Sequence, residues 1–163
     1  MNVILREYCE SDLEQMIAIW NEVVEEAVAY PQLELLNTQT GLVLFGGQSF
    51  TCVAEDMDSN EILGLYILHP NNVGRCGHIC NSSYAVSSKA RGMKIGEKLV
   101  IHSLDKGKEL GYLILQFNAV VKSNERALRL YEKLEFTRLG VIPKGFLLKD
   151  GSYEDIIPHY KEL

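Results

Sequence analysis

An α/β fold with a parallel β-α-β unit at its centre is predicted by three observations. Short β-rich runs alternate with amphipathic helical stretches, a polar stretch at 57–61 joins two strands as a hairpin, and a basic, glycine-bearing segment at 87–96 lies between a strand and a helix. The 163 residues suit one domain, 1–163. Hydrophobic residues at 47% against 23% charged ones give a chain that can bury a core without staples.

Each element follows from local chemistry. Val3, Ile4 and Leu5 open a strand over 3–8. Ser11 followed by Glu14 has the form of a capping box, and Leu13, Met16, Ile17, Trp20, Val24 and Ala27 recur at helical spacing, predicting a helix over 12–29. Pro31 marks its end, and 32–45 reads as a second helix closed by Gly46-Gly47. Residues 50–56 and 62–68 make the hairpin, and His69-Pro70-Asn71-Asn72 breaks its second strand. A strand at 78–86, a helix at 95–110 ending near Gly111 and a strand at 112–121 form the central unit. Its two strands must run parallel, with a right-handed crossover. Ser123 or Asn124 caps a helix to Leu134 that places Ala127, Leu130, Tyr131 and Leu134 on one face. Strands at 136–142 and 153–160 end the chain, joined by a loop around Pro143-Lys144-Gly145 and Lys149-Asp150-Gly151.

Composition narrows the function. A formal charge of -6 argues against nucleic-acid binding, which needs a clustered positive field. No apolar run reaches the roughly 18 residues of a membrane span, and the first residues lack a secretory pattern, so a cytoplasmic protein is expected. Cys76-Gly77-His78-Ile79-Cys80 invites a metal reading. On a strand its two thiols would stand about 13 Å apart, too far for bonds of about 2.3 Å to one zinc ion. No metal is expected.

Ligands of such sheets bind beyond the carboxyl ends of the strands. There lies Ser87-Ser88-Lys89-Ala90-Arg91-Gly92-Met93-Lys94-Ile95-Gly96. A helix N-terminus offers unpaired N–H groups and the positive end of its dipole, which suits phosphate oxygens. The pattern is neither a P-loop nor a three-glycine dinucleotide fingerprint. A basic loop with a helix-starting glycine is the plain alternative.

This segment resembles the pyrophosphate-binding signature of the GNAT superfamily of N-acetyltransferases, Arg/Gln-x-x-Gly-x-Gly/Ala, with Lys94 in place of the first signature glycine. Lys94 keeps its backbone donor role if its dihedrals are helical. Asn124 to Phe136 is similar to the family's Asn-x-x-Ala-x-x-Leu-Tyr-x-Lys-x-Gly-Phe, with Glu135 where glycine is usual. The resemblance implies a mixed, mostly antiparallel sheet, splayed at its central parallel pair to hold acyl-CoA, with helices on both faces. It also implies acetyl-CoA as co-substrate, bound by Ala85, Val86, Arg91, Gly92, Met93, Lys94, Ile95, Gly96 and Asn124. Family members are often homodimers.

His78-Ile79-Cys80-Asn81 and Gln116-Phe117-Asn118-Ala119-Val120 resemble a subgroup that includes fungal acetyltransferases of proline analogues such as azetidine carboxylate. The resemblance implies a small amino- or imino-acid substrate held by Asn81, Asn118 and Ala119, with Asn81 also at the reacting centre. Structural hydrogen bonds are the alternative for both amides. Tyr131 is the candidate general acid, since a phenol stays protonated at neutral pH; packing in the core is its other reading. His78 is a weak candidate base, and His69, His102 and His159 receive no role. Three functions follow: acetylation of a small amine, acyl-CoA binding without turnover, or acetylation of protein N-termini or lysines.

Overall fold

The computed structural model describes residues 2–163. Its strands are β1 (Val3–Glu7), β2 (Phe50–Asp56), β3 (Glu61–Pro70), β4 (Ile79–Val86), β5 (Ile114–Val121), β6 (Thr137–Arg138), β7 (Ile142–Leu147) and β8 (Tyr153–Glu162). They form one sheet in the order β1-β2-β3-β4-β5-β8-β6, with β7 also on β8. β4 and β5 are the parallel pair, and the other pairings are antiparallel. Helices α1 (Leu13–Glu26), α2 (Thr38–Gly46), α3 (Ile95–Glu109) and α4 (Glu125–Lys133) cover both faces. The expected α/β architecture with its central parallel unit is the one observed.

Strand periodicity divides the core. In β3, Leu65 and Ile67 turn to the face covered by α1 and α2, where Met16, Trp20 and Phe45 are buried. Tyr66 and Leu68 turn to the other face, against Leu99 and Val100 of α3 and Leu115 and Phe117 of β5. A strand covered on both faces reads as an unbroken apolar run, and each fully buried aliphatic side chain there contributes about 1.5–3 kcal/mol. Gly64 interrupts that run for a packing reason. A Cβ at this position would stand 2.8 Å from the Ala85 carbonyl oxygen and 3.1 Å and 3.2 Å from Leu99 and Ile95. The bare backbone lets the first turns of α3 press onto β3.

Four local expectations are corrected. The Ser11–Glu14 box does not form. Instead the Asp12 carboxylate accepts the Cys9 N–H at 2.8 Å and both Arg6 Nη groups at 2.7 and 2.9 Å, while Arg6 Nε donates to Glu55 at 2.6 Å. A buried carboxylate gripped by a guanidinium fork outcompetes a solvated serine cap. The first helix also stops early, at Glu26, where Ala27 turns left-handed at φ 53°.

The second helix starts at Thr38, because Asn37 Oδ1 caps the Thr40 N–H at 2.9 Å. The segment before it has no regular structure and is held by the Asn21 amide, which bonds both backbone groups of Leu36. Finally, the strand expected over 136–142 shrinks to β6, and Pro143-Lys144-Gly145 is a bulge inside β7. Ile142 faces Ile156 and Phe146 faces Glu154, so three residues oppose Asp155 alone. Only glycine fits at 145, where a Cβ would lie 2.3 Å from Ile156 Cγ1. The α3 terminus matches its sequence signal. Gly111 has φ +87°, with Tyr112 N–H on the Gly107 carbonyl and Gly111 N–H on Lys108, both at 3.0 Å.

Candidate active site

β4 and β5 pair only at their starts, Ile79 with Ile114 and Cys80 with Leu115. The side of β5 facing β8 is irregular as well. Phe117 pairs with His159 and Val120 with Ile157, leaving Asn118 and Ala119 opposite Pro158. Two residues of β5 against one of β8 make a bulge that re-aims both, while the Pro158 carbonyl serves the opposite side of β8, accepting the Leu139 N–H at 2.9 Å. A cleft of about 980 Å³ opens over the diverging strands, walled by α3, α4 and the segment after α1. That volume suits a cofactor-sized ligand.

At one end stands the start of α3. Gly92 and Lys94 both take positive φ, +86° and +61°. Lys94 is therefore left-handed, so the helical condition placed on its donor role is not met, and the residue occupies a conformation that glycine adopts at less cost. Glu135 repeats this at the exit of α4 with φ 61°. There Phe136 N–H reaches the Tyr131 carbonyl at 2.9 Å and Glu135 N–H that of Glu132 at 3.0 Å. At the start of α3 the first intrahelical bond is Lys98 N–H to Lys94 at 3.2 Å, and the N–H groups of Ile95, Gly96 and Glu97 meet no acceptor among the described residues. Gly96 leaves space beside them, since a Cβ would meet only Val86 Cγ2, at an ordinary 3.6 Å. Arg91 and Lys94 line this end, Arg91 being ion-paired with Glu26 of α1, and Arg126 in the first turn of α4 also borders the cleft. Unbonded donors, cations and a bare glycine together fit a pyrophosphate.

Tyr131 both packs in the core and borders the cleft. Its ring packs 4.4 Å from Phe117 and 5.4 Å from Phe136, with His159 edge-on at 5.7 Å, and it also lines the cleft. Burial, reinforced by nearby Tyr84, raises its pKa above the ordinary 10, so the hydroxyl stays a proton donor at neutral pH. Asn124 caps α4, accepting the Ala127 N–H at 3.3 Å, and borders the same space.

The other end is lined by neutral amides. Asn81 and Asn118 both donate to Asn71 Oδ1, at 3.2 and 2.7 Å, and Gln116 donates to Asn118 Oδ1 at 3.0 Å. His69 pairs with Asn81 across β3 and β4, so the two side chains share a face. Its Nδ1 lies 3.0 Å from the Pro70 carbonyl, which can only accept. In the neutral ring this leaves Nε2 with a free lone pair.

The structure gathers Asn81, Val86, Arg91, Gly92, Lys94, Ile95, Gly96, Asn118, Ala119, Asn124 and Tyr131 around one cleft. Ala85 and Met93 stay outside its lining: Ala85 is buried toward α1, and the Met93 side chain is exposed. His78 is also off the cleft, its carbonyl receiving the Leu113 N–H. Cys76 is exposed and Cys80 buried, its thiol on the Ile114 carbonyl at 3.3 Å. Sequence reasoning missed His69, Asn71, Glu26, Arg126 and Tyr30. Arg126 carried a signal, because a cation in the first turn of a helix opposes the dipole. Tyr30, packed 4.4 Å from Trp20, lines the cleft with a buried hydroxyl that has no partner among the described residues.

No helix among the described residues is long and apolar enough to cross a membrane. Comparison with known proteins identifies the family and the fold. The chain is 39% identical over 89 residues to N-acetyltransferase aca1 of Schizosaccharomyces pombe, covering 55% of this chain and 43% of that protein. Protein SPT10 of Saccharomyces cerevisiae is 30% identical over 89 residues, which is 55% of this chain and 14% of that one. The chain thus matches less than half the length of either relative. A GCN5-related N-acetyltransferase from Kribbella flavida superposes with a TM-score of 0.91 at 27% identity, over 99% of this chain and 98% of that one. The yncA protein of Salmonella typhimurium, solved with its cofactor acetyl-CoA, gives 0.91 at 18% identity over 100% and 95%. The sequence model of the acetyltransferase (GNAT) family matches residues 10–136, and the chain belongs to that family.

Proposed function

We propose that this chain transfers an acetyl group from acetyl-CoA to the amine of a small molecule, within the class of amino acids, imino acids and toxic amines. One observation carries the reading: the unbonded N–H groups of α3, the Tyr131 hydroxyl and the Asn81–Asn118 amides line a single cleft. The two asparagines are also what supports kinship with acetyltransferases of proline analogues. Four free thiols are consistent with a cytoplasmic setting.

Acetyl-CoA supplies the activated acyl group. Ile95, Gly96 and Glu97 would hold its pyrophosphate through backbone N–H groups, with Arg91, Lys94 and Arg126 adding charge. The open edge of β4 beyond Cys80, through Ala85 and Val86, would pair with the pantetheine arm and donate an N–H to the thioester oxygen as it gains charge. Asn81 and Asn118 would orient the acceptor for in-line attack. As the C–N bond forms and the C–S bond breaks, His69 Nε2 takes the proton leaving the amine. Tyr131 Oη returns one to the departing sulfur.

Titration calorimetry with acetyl-CoA and thiol release in the presence of an amine panel test this reading. Gly96→Pro is the sharpest variant. Proline is tolerated in a first helical turn but removes one N–H, so folding is expected to survive while acetyl-CoA affinity falls about tenfold. Absence of binding heat in the wild-type chain would sink the proposal. Tight binding with no thiol release from any amine would leave a binding module instead.

A further inference from the structure

Asn81 and Asn118 sit on different strands that have already parted, yet their amides meet at one atom. Asn71 Oδ1 accepts 2.7 Å from Asn118 Nδ2 and 3.2 Å from Asn81 Nδ2. Asn71 is placed by the β3–β4 hairpin, its own N–H bonding the Ile79 carbonyl at 2.8 Å. A carboxamide can present either its oxygen or its nitrogen to a ligand, and the choice is set by what holds the other end. Here both nitrogens are held by Asn71, and the Asn118 oxygen is occupied by Gln116. The Asn81 oxygen receives no hydrogen bond from the described residues.

We infer that Asn71 is a positioning residue for the acceptor: it fixes the polarity of the amide pair, so that Asn81 offers an oxygen and Asn118 its remaining N–H. The complementary ligand carries an amine N–H beside an oxygen acceptor, as an α-amino or α-imino acid or its amide does. A simple alkylamine satisfies only half of that pair. This rests on the acceptor site proposed above. Its new content is the role of Asn71, which lies outside the cleft lining.

The atom that Asn71 uses is an oxygen, so Asn71→Asp retains it and Asn71→Ala removes it. Side-chain amide exchange of Asn81 and Asn118, followed by NMR in the free protein and assigned with Asn81→Asp and Asn118→Asp, needs no acceptor. Exchange at both amides is expected to accelerate at least tenfold in Asn71→Ala and to return near wild type in Asn71→Asp. With free L-amino acids as probes, Asn71→Ala should raise the acceptor KM about tenfold with kcat within threefold. Asn71→Asp should recover most of that loss, and calorimetric affinity for acetyl-CoA should be unchanged in both. Unaltered amide exchange in Asn71→Ala, or an unaltered acceptor KM, overturns the inference. If acetyl-CoA binds but no L-amino acid is acetylated, the acceptor class falls, and the exchange result alone decides the role of Asn71.

Discussion

The two ends of the cleft are built from different chemistry. At the start of α3 the donors are backbone N–H groups, whose direction is set by the helix whatever side chains follow. At the far end the donors and acceptors are side-chain amides on strands that have separated, tied to each other through Asn71. The difference teaches where substitution is tolerated. The backbone end accommodates Lys94 where the family signature has glycine, at a cost of about 1 kcal/mol for the left-handed turn. The amide end, on the acceptor role proposed for it, should respond to the identity of single side chains.

That contrast can be attacked at points of decreasing leverage. Tyr131→Phe keeps the ring that packs on Phe117 and Phe136, so its melting temperature should hold while kcat falls about 100-fold. An unchanged kcat in single-turnover assays would leave Tyr131 as core packing alone. His69→Gln removes the free Nε2. A loss of about tenfold in kcat at neutral pH is expected, narrowing at higher pH as solvent deprotonates the amine; a pH-independent ratio would exclude His69 as the base.

Stability should respond to pH through a different histidine. His159 is 1% exposed, and burial holds its pKa below the ordinary 6.5. The folded state therefore binds its proton less readily than the unfolded chain. Stability should be full above about pH 6.5 and decline as pH falls from there toward the folded-state value, by at most about 1.4 kcal/mol per unit. Thermal melts from pH 8 to 5 test this, and His159→Phe should flatten the slope. Smallest is Tyr30→Phe, which deletes an unpartnered buried hydroxyl and should leave stability unchanged or raise it by about 1 kcal/mol in chemical denaturation. A clear loss would mean that the hydroxyl has a partner in solution.

Legibility in the sequence followed the same division. Residues 91–96 and the Asn124–Phe136 segment are contiguous, so their helix starts, cap and glycine could be read locally, and the cleft gathers most of them. Asn71 could not be read that way. In sequence it is one of two asparagines that end a strand, and its meaning depends on residues 10 and 47 positions away. The bulge in β5 is similar: only the pairing with β8 shows that Asn118 and Ala119 together stand opposite Pro158. The Pro143-Lys144-Gly145 stretch misled because turn-forming residues also serve bulges, and side-chain contact with Ile156 selects between the two.

Gly64 extends the reach of the site beyond its walls. With only a hydrogen where other residues carry carbon, it sets the altitude of α3 above the sheet, and so the aim of the N–H groups at that helix's tip. One added methyl beneath the helix would act as a shim. It would tilt a binding surface it never touches, and cofactor affinity would record a change made on the far side of the wall.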